Sequence, residues 1–279
     1  MTPSGAASFP ASLVLVGAGK MGGALLQGWL DLGLAAAQIR VVEPAPAATI
    51  RALCTARGVR LDLDLGSSGT PPEVLILAVK PQMLEAAAPQ LVDLANEATL
   101  VISILAGKTM QNVLDRLPHA RAIVRAMPNL PAAIGRGMTG AVANGAVTSA
   151  QRQSADALLS AAGAVEWLED EALIDALTGV SGSGPAYVFY LAECLAEAGE
   201  AAGLPRATAE RLARATVEGA GALLAQMPDQ SPAALRESVT SPGGTTAAAL
   251  AILMGAEGMK PIIEKAVLAA KKRAGELSG

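Results

Sequence analysis

The sequence predicts an α/β fold: a doubly wound parallel sheet over residues 1–168, then an all-helical second domain over residues 169–279. Three observations carry this. Short unbroken apolar runs recur through the first half with helical stretches between them, as strands buried on both faces of a parallel sheet require. A glycine-rich turn follows the first run directly and opens into a helix. Beyond about Ala164 the short runs give way to apolar spacing of the helical kind.

The first element is the run 13–16, LVLV, which ends at Gly17. Gly17, Gly19 and Gly22 fall in the spacing G-x-G-x-x-G, and Met21, Leu25, Leu26 and Trp29 recur at helical intervals after them. In this order Gly17 allows a tight turn, Gly19 lets backbone approach a pyrophosphate, and Gly22 lets helix pack close to strand, the Rossmann-type arrangement. The spacing alone is weak, because glycines turn many chains; its place between strand and helix is what gives it force. The next apolar run, 39–42, ends at Glu43, about 20 residues after the turn, where an acid that binds an adenine ribose is expected.

A helix over 47–57, a short segment at 59–61 and a polar loop at 66–72 follow. The run 74–79 is the next strand, stopped by Lys80-Pro81; runs 100–104 and 121–126 repeat the pattern and end at Leu105-Ala106-Gly107 and Met127-Pro128-Asn129. Three strand ends therefore meet at the carboxyl edge of the sheet, where such folds bind ligands. Ala106 and Gly107 are small enough for a flat ring to lie on backbone, although plain turn chemistry accounts for each taken singly. Residues 165–168 read as a last strand.

Helices are then predicted over 172–178, 185–202, 206–226, 232–238, 245–254 and 261–274, with a flexible Ser181-Gly182-Ser183-Gly184 before Pro185 and Gly203 closing the long helix. Alanine and glycine lie on several faces between 185 and 226 (Ala192, Ala196, Gly199, Ala215, Gly219), leaving little polar surface for a free-standing hairpin. Burial against a second subunit follows, with packing inside one chain as the alternative. The stretch Ser241-Pro242-Gly243-Gly244-Thr245-Thr246 opens the helix at 245 and presents amides and hydroxyls to one small volume. It reads as a cradle for an anion such as a carboxylate, or as an ordinary cap in which Ser241 or Thr245 satisfies the first amides.

Composition narrows the classes. A length of 279 residues allows one or two domains with a sizeable core. Apolar residues reach 52%, but no run attains the ~18 residues that a membrane-spanning helix needs. The first ten residues have neither the basic start nor the apolar centre of a signal peptide, so a cytoplasmic location is expected. A net charge of −4 and two each of Trp, Tyr and Phe argue against a nucleic-acid surface. Cys54 and Cys194, far apart and without a C-x-x-C, read as reduced thiols and not as a metal site.

The set GAGKMG (17–22), AVKP (78–81), RAMPN (125–129), TGVSGSGPAY (178–187), GLP (203–205) and SPGGTT (241–246) resembles the pyrroline-5-carboxylate reductases from about Leu13 to Lys272. The resemblance implies NAD(P)H-dependent reduction of the cyclic imine 1-pyrroline-5-carboxylate to L-proline, the final step of proline synthesis. It further implies a homo-oligomer, at least a dimer and up to a decamer, with the active site formed where the helical domains meet. By motif position the cofactor (NADPH or NADH) would be held by Gly17, Ala18, Gly19, Lys20, Met21 and Gly22, and by Ala78, Val79, Lys80, Pro81, Ala106, Gly107 and Asn129, with Glu43, where the sequence departs from the family's common small polar or basic residue, on the ribose. The substrate carboxylate would be held by Ser241, Gly243, Gly244, Thr245 and Thr246, with Thr246 hydrogen-bonding the ring nitrogen as the catalytic residue.

The residues agree for a separate reason. A protonated imine already carries its activating charge and needs mainly orientation, whereas a ketone needs a positioned acid. The single histidine, His119, lies in a Pro-His turn, and no Tyr-x-x-x-Lys pair exists. A β-hydroxyacid dehydrogenase would place Lys and Asn one turn apart in the helical domain; the sole Lys-x-x-x-Asn, Lys108 to Asn112, lies in the first domain, on helix surface by this reading. A non-catalytic dinucleotide sensor would keep the glycine turn but have little use for the cradle. Glu43 should repel a 2′-phosphate, so NADH is expected to serve at least as well as NADPH, with Arg40, Arg51 and Arg57 the cations that could still turn toward such a phosphate.

Overall fold

In the computed structural model, which describes residues 9–65 and 70–278, the apolar runs are central strands. The first part of the chain alternates β1 (Leu13–Val16), α1 (Lys20–Asp31), β2 (Ile39–Val42), α2 (Ala48–Arg57), β3 (Arg60–Asp62), β4 (Val74–Leu77), α3 (Leu84–Leu91), β5 (Leu100–Ser103) and α4 (Met110–Leu114). It continues with β6 (Ala122–Met127), β7 (Gly137–Ala143), α5 (Ser149–Ser160), β8 (Gly163–Trp167) and α6 (Leu173–Leu177). The strands form one sheet in the order β3-β2-β1-β4-β5-β6-β7-β8, parallel throughout except where β7 runs antiparallel to β6. The order reverses beside β1, so the carboxyl ends of β1 and β4 border the crevice in which such sheets bind ligands. Residues 66–69 of the expected polar loop lie outside the described residues.

The two-residue period of a strand divides the core in two. Leu13 and Leu15 face Leu25, Leu26 and Trp29 of α1 and Leu158 of α5. Val14 and Val16 face the opposite layer, with Leu84 and Leu91 of α3 and Val113 of α4. Each such fully buried side chain contributes about 1.5–3 kcal/mol. Trp29 buries its indole and still satisfies it, Nε1 donating to the Leu158 carbonyl at 2.7 Å.

Three local features differ from the sequence-based expectation. The strand from Val74 stops at Leu77, because Ala78 and Val79 turn under the glycine loop: a Cβ on Gly17 would lie 2.6 Å from their backbone. β7 and α5 were not foreseen. Gly140 on β7 leaves room for the Leu177 side chain, which would stand 2.1 Å from a Cβ there, and α5 starts from a capping box between Thr148 and Gln151. The supposedly flexible stretch at 181–184 is instead a π-helical turn (Thr178–Gly182) running into the next helix. It is pinned by Asn129, whose Nδ2 donates to the Ser181 carbonyl and hydroxyl at 3.2 and 3.1 Å. For that reason the first compact unit runs through Gly182, not 168, and it also takes in the chain from Ala270 onward.

The second unit, Ser183–Ala269, holds α7 (Gly184–Ala201), α8 (Arg206–Gln226), α9 (Pro232–Ser238), α10 (Thr245–Leu253) and most of α11 (Met259–Ser278). α7 and α8 form a hairpin around Gly203, whose φ of +100° admits glycine readily. A Cβ on Gly199 would approach Ala209 Cβ to 3.0 Å, so small residues set the spacing of the hairpin. Only Ala209 and Ala213 are buried in this unit, while Phe189, Tyr190 and Ile252 are 55%, 66% and 77% exposed. Among the described residues no helix is long and apolar enough to cross a membrane.

Candidate active site

In the first unit the chain leaves β1 through Gly17, whose φ of +94° and donation of its N–H to the Val42 carbonyl (2.9 Å) make a tight turn. Gly22 lies so close beneath this turn that a Cβ would sit 2.2 Å from the Gly17 carbonyl oxygen. Gly19 caps α1 in an extended conformation, with no side chain closing the helix and no acid in its first turn. A Cβ at Gly19 would meet nothing within 4 Å. Open space therefore lies against a bare helix N-terminus, the electrostatic and hydrogen-bonding setting for a phosphate.

Glu43 reaches back into this turn. Its carboxylate accepts from the Ala18 N–H at 2.9 Å and from the Ala45 N–H at 3.1 Å. The Ala18 amide is thus committed within the protein, a correction to the set of amides read as free for a cofactor. Ala78 and Val79 back the turn, and Lys80 is exposed at the start of a 3₁₀ turn, Pro81–Met83. Met21 is half-buried and Lys20 exposed at the start of α1.

Ala106 is exposed, but Gly107, at φ +69°, has its Cβ side covered: a Cβ would lie 3.0 Å from Leu277. The flat-ring surface inferred at this turn is therefore narrower than the sequence implied. Asn129 is a tie within the protein. Besides the bonds to Ser181, its Oδ1 accepts from the Met138 N–H at 2.9 Å, so this side chain braces the strand end. Arg125, quoted only as part of a motif, is buried and pairs with Glu171 at 2.9 Å; Glu171 also accepts from the Met110 N–H at 2.8 Å. An arginine inside an apolar strand run was the signal that it needed a buried partner. Asn112 of the Lys-x-x-x-Asn pair is spent in the cap of α4, exchanging bonds with Thr109, and not on open helix surface.

In the second unit the stretch 241–246 forms the turn that starts α10. Gly243 has φ +71°, and Gly244 donates its N–H to the Ser241 carbonyl at 3.0 Å. The Gly244 amide therefore closes the turn and is not one of the amides offered to a ligand, which corrects the expectation. Gly244 caps α10 in extended conformation, and neither Ser241 nor Thr245 caps the helix with its side chain. The first intrahelical bond runs from Ala248 to Gly244, leaving the amides of Thr245, Thr246 and Ala247 at a helix end with no acid in its first turn. An uncapped helix start with two threonine hydroxyls is suited to a small carboxylate, to which the dipole adds about 0.3–2 kcal/mol.

A pyrroline-5-carboxylate reductase of Pseudomonas aeruginosa is 40% identical over 270 residues, covering 95% of this chain and 96% of its own. The chain belongs to the pyrroline-5-carboxylate reductase family. The family model described as pyrroline-5-carboxylate reductase dimerisation matches residues 171–277, the helical part, and one described as NADP oxidoreductase, coenzyme F420-dependent, matches 12–107, the half that carries the glycine turn. Among solved structures, a pyrroline-5-carboxylate reductase of Coxiella burnetii shares 35% identity with a TM-score of 0.89, over 97% of this chain and 99% of that one. The Plasmodium falciparum reductase, solved with NADP bound, shares 25% identity with a TM-score of 0.78, over 96% and 98%. The likeness first read from six short motifs thus extends along the chain. The exposed apolar helices of the second unit fall within the part matched by the dimerisation model.

Proposed function

We propose that this chain reduces 1-pyrroline-5-carboxylate to L-proline with a reduced nicotinamide dinucleotide, as a homo-oligomer joined through its helical unit. The observation that carries the reading is the uncapped α10 start at Thr245 in a chain whose whole length matches reductases of this substrate. The proposal extends to assembly beyond a dimer, up to a decamer, and to a cytoplasmic location.

The residues of the first unit fit the cofactor, since Gly19 leaves open space against a bare helix start and would hold the pyrophosphate there. When bound, the dinucleotide supplies a hydride for the C=N carbon. The chain itself does the rest. The amides of Thr245 and Thr246, with the Ser241 hydroxyl, hold the substrate carboxylate; the Thr246 hydroxyl accepts from the iminium N–H and fixes the face of the ring. No strong acid is required, because the substrate arrives protonated at nitrogen and leaves as a secondary amine. Purified protein given the imine with NADH or NADPH should oxidise the cofactor and yield proline identified by mass spectrometry. No proline with either cofactor in excess would overturn the reading.

A further inference from the structure

We propose that Glu43 makes this chain select NADH over NADPH, even though the relative solved with a cofactor holds NADP and one matched family model is named for it. The inference rests on the reductase reading for its cofactor class but on Glu43 and its neighbours for its direction. The two carboxylate oxygens of Glu43 each accept one backbone N–H, from Ala18 and from Ala45, which fixes the group at the carboxyl end of β2 beside the glycine turn. A carboxylate oxygen has a second lone pair, so each can still take a ribose hydroxyl. A phosphate on the 2′ position would instead bring like charge against a carboxylate that two amides hold in place.

The cations that could reverse this are engaged elsewhere. Arg40 Nε pairs with Asp62 at 2.6 Å, and its other arm donates to the Leu65 carbonyl at 2.8 Å. Arg57 pairs with Asp31 at 2.8 Å. The loop after Glu43 is Pro44-Ala45-Pro46-Ala47, with no hydroxyl and no cation, and the one amide it gives to a side chain goes to Glu43. Two groups oppose the inference: Arg51, whose guanidinium has no hydrogen-bond or ion-pair partner among the described residues, and the uncapped start of α2 with the Thr49 hydroxyl. Neither removes the negative charge already seated in the turn.

The test is calorimetric titration of the full-length protein with NAD⁺ and with NADP⁺, which needs no turnover. Wild-type protein should bind NAD⁺ at least about tenfold more tightly, as a like-charge contact in partly exposed surroundings implies. The ratio should shrink on raising salt, which a purely steric preference would not do. Glu43→Gln and Glu43→Ser should each remove most of the preference, chiefly by tightening NADP⁺. Equal or tighter wild-type binding of NADP⁺, or a ratio unmoved in both variants, overturns the proposal. Binding of neither dinucleotide overturns it together with the reductase reading, whereas the expected ratio in a protein that makes no proline would overturn that reading alone.

Discussion

Leu13, Leu15, Leu25, Leu26 and Trp29 of the first unit are almost wholly removed from water, whereas the second unit buries only Ala209 and Ala213 and leaves Phe189, Tyr190, Ile252 and Met254 more than half exposed. The first unit closes two apolar layers on a sheet of its own. The second leaves its apolar side chains exposed within the part matched by the dimerisation model, as helices that bury a face against another copy would. The difference assigns two kinds of dependence: the dinucleotide half rests on local packing and turn geometry, and the helical half rests on association.

The sharpest way to break that comparison is a charge on the exposed helical face. Phe189→Asp should weaken association at least about a thousandfold, since it forfeits aromatic burial and strands a carboxylate in an apolar contact. Light scattering coupled to size exclusion would show the loss of oligomer, and an unchanged assembly would place the interface elsewhere. In the first unit the largest effect should come from Gly17→Ala, where φ is +94° and the added Cβ would press on Ala78 and Val79. Loss of about 2–4 kcal/mol of stability is expected, together with weaker dinucleotide binding. Both tryptophans, Trp29 and Trp167, lie in that unit, so their fluorescence in denaturant reports it directly.

The same contrast explains what the sequence made legible. β1 and β4 were readable because a strand buried on both faces is apolar at every position, and β2 and β5 because only Arg40 and Ser103 interrupt the same pattern. β7 was not, since Gly137-Met138-Thr139-Gly140 has neither alternation nor bulk, and its glycines answer to Leu177 and Ala162, which are distant in sequence. The stretch 181–184 reads as flexible for the same reason: Asn129 holds Ser181 from some fifty positions away. In the site, Gly17 and Gly22 were legible, being local backbone requirements. The partners of Glu43, Gly244 and Asn129 were not, because sequence tells which groups can donate but not where the donation goes.

Thr246→Val sharpens the comparison from the helical side. It keeps the shape of the α10 start while deleting one hydroxyl, and by the usual cost of a lost hydrogen bond should lower kcat/KM by about 5- to 150-fold. Assembly and unfolding should not change, in contrast to Phe189→Asp. Unaltered kinetics would take Thr246 out of the mechanism.

The smallest effect tests whether ion pairs matter to the self-contained half. Burial, the largest single influence on the Asp62 carboxyl, raises its pKa, but bonds and charge from Arg60 and Arg40 outweigh it and the net position is below the ordinary 3.8. A carboxylate lowered in the folded state contributes stability above its unfolded pKa and loses it as acid carries the pH down through the folded value. Asp62→Asn should therefore be less stable than wild type by under about 1 kcal/mol near neutrality, given a partly exposed pair. The gap should hold down to about pH 4 and close below it. A larger gap near neutrality would mean that the sheet edge at β3 depends on charge more than its packing indicates, and one that widens in acid would mean that the Asp62 charge does not stabilise that edge. Since Asp62 holds one arm of the Arg40 guanidinium, the other being on the Leu65 carbonyl, the same variant should also bind NADP⁺ slightly better than wild type, linking the edge of the sheet to cofactor choice.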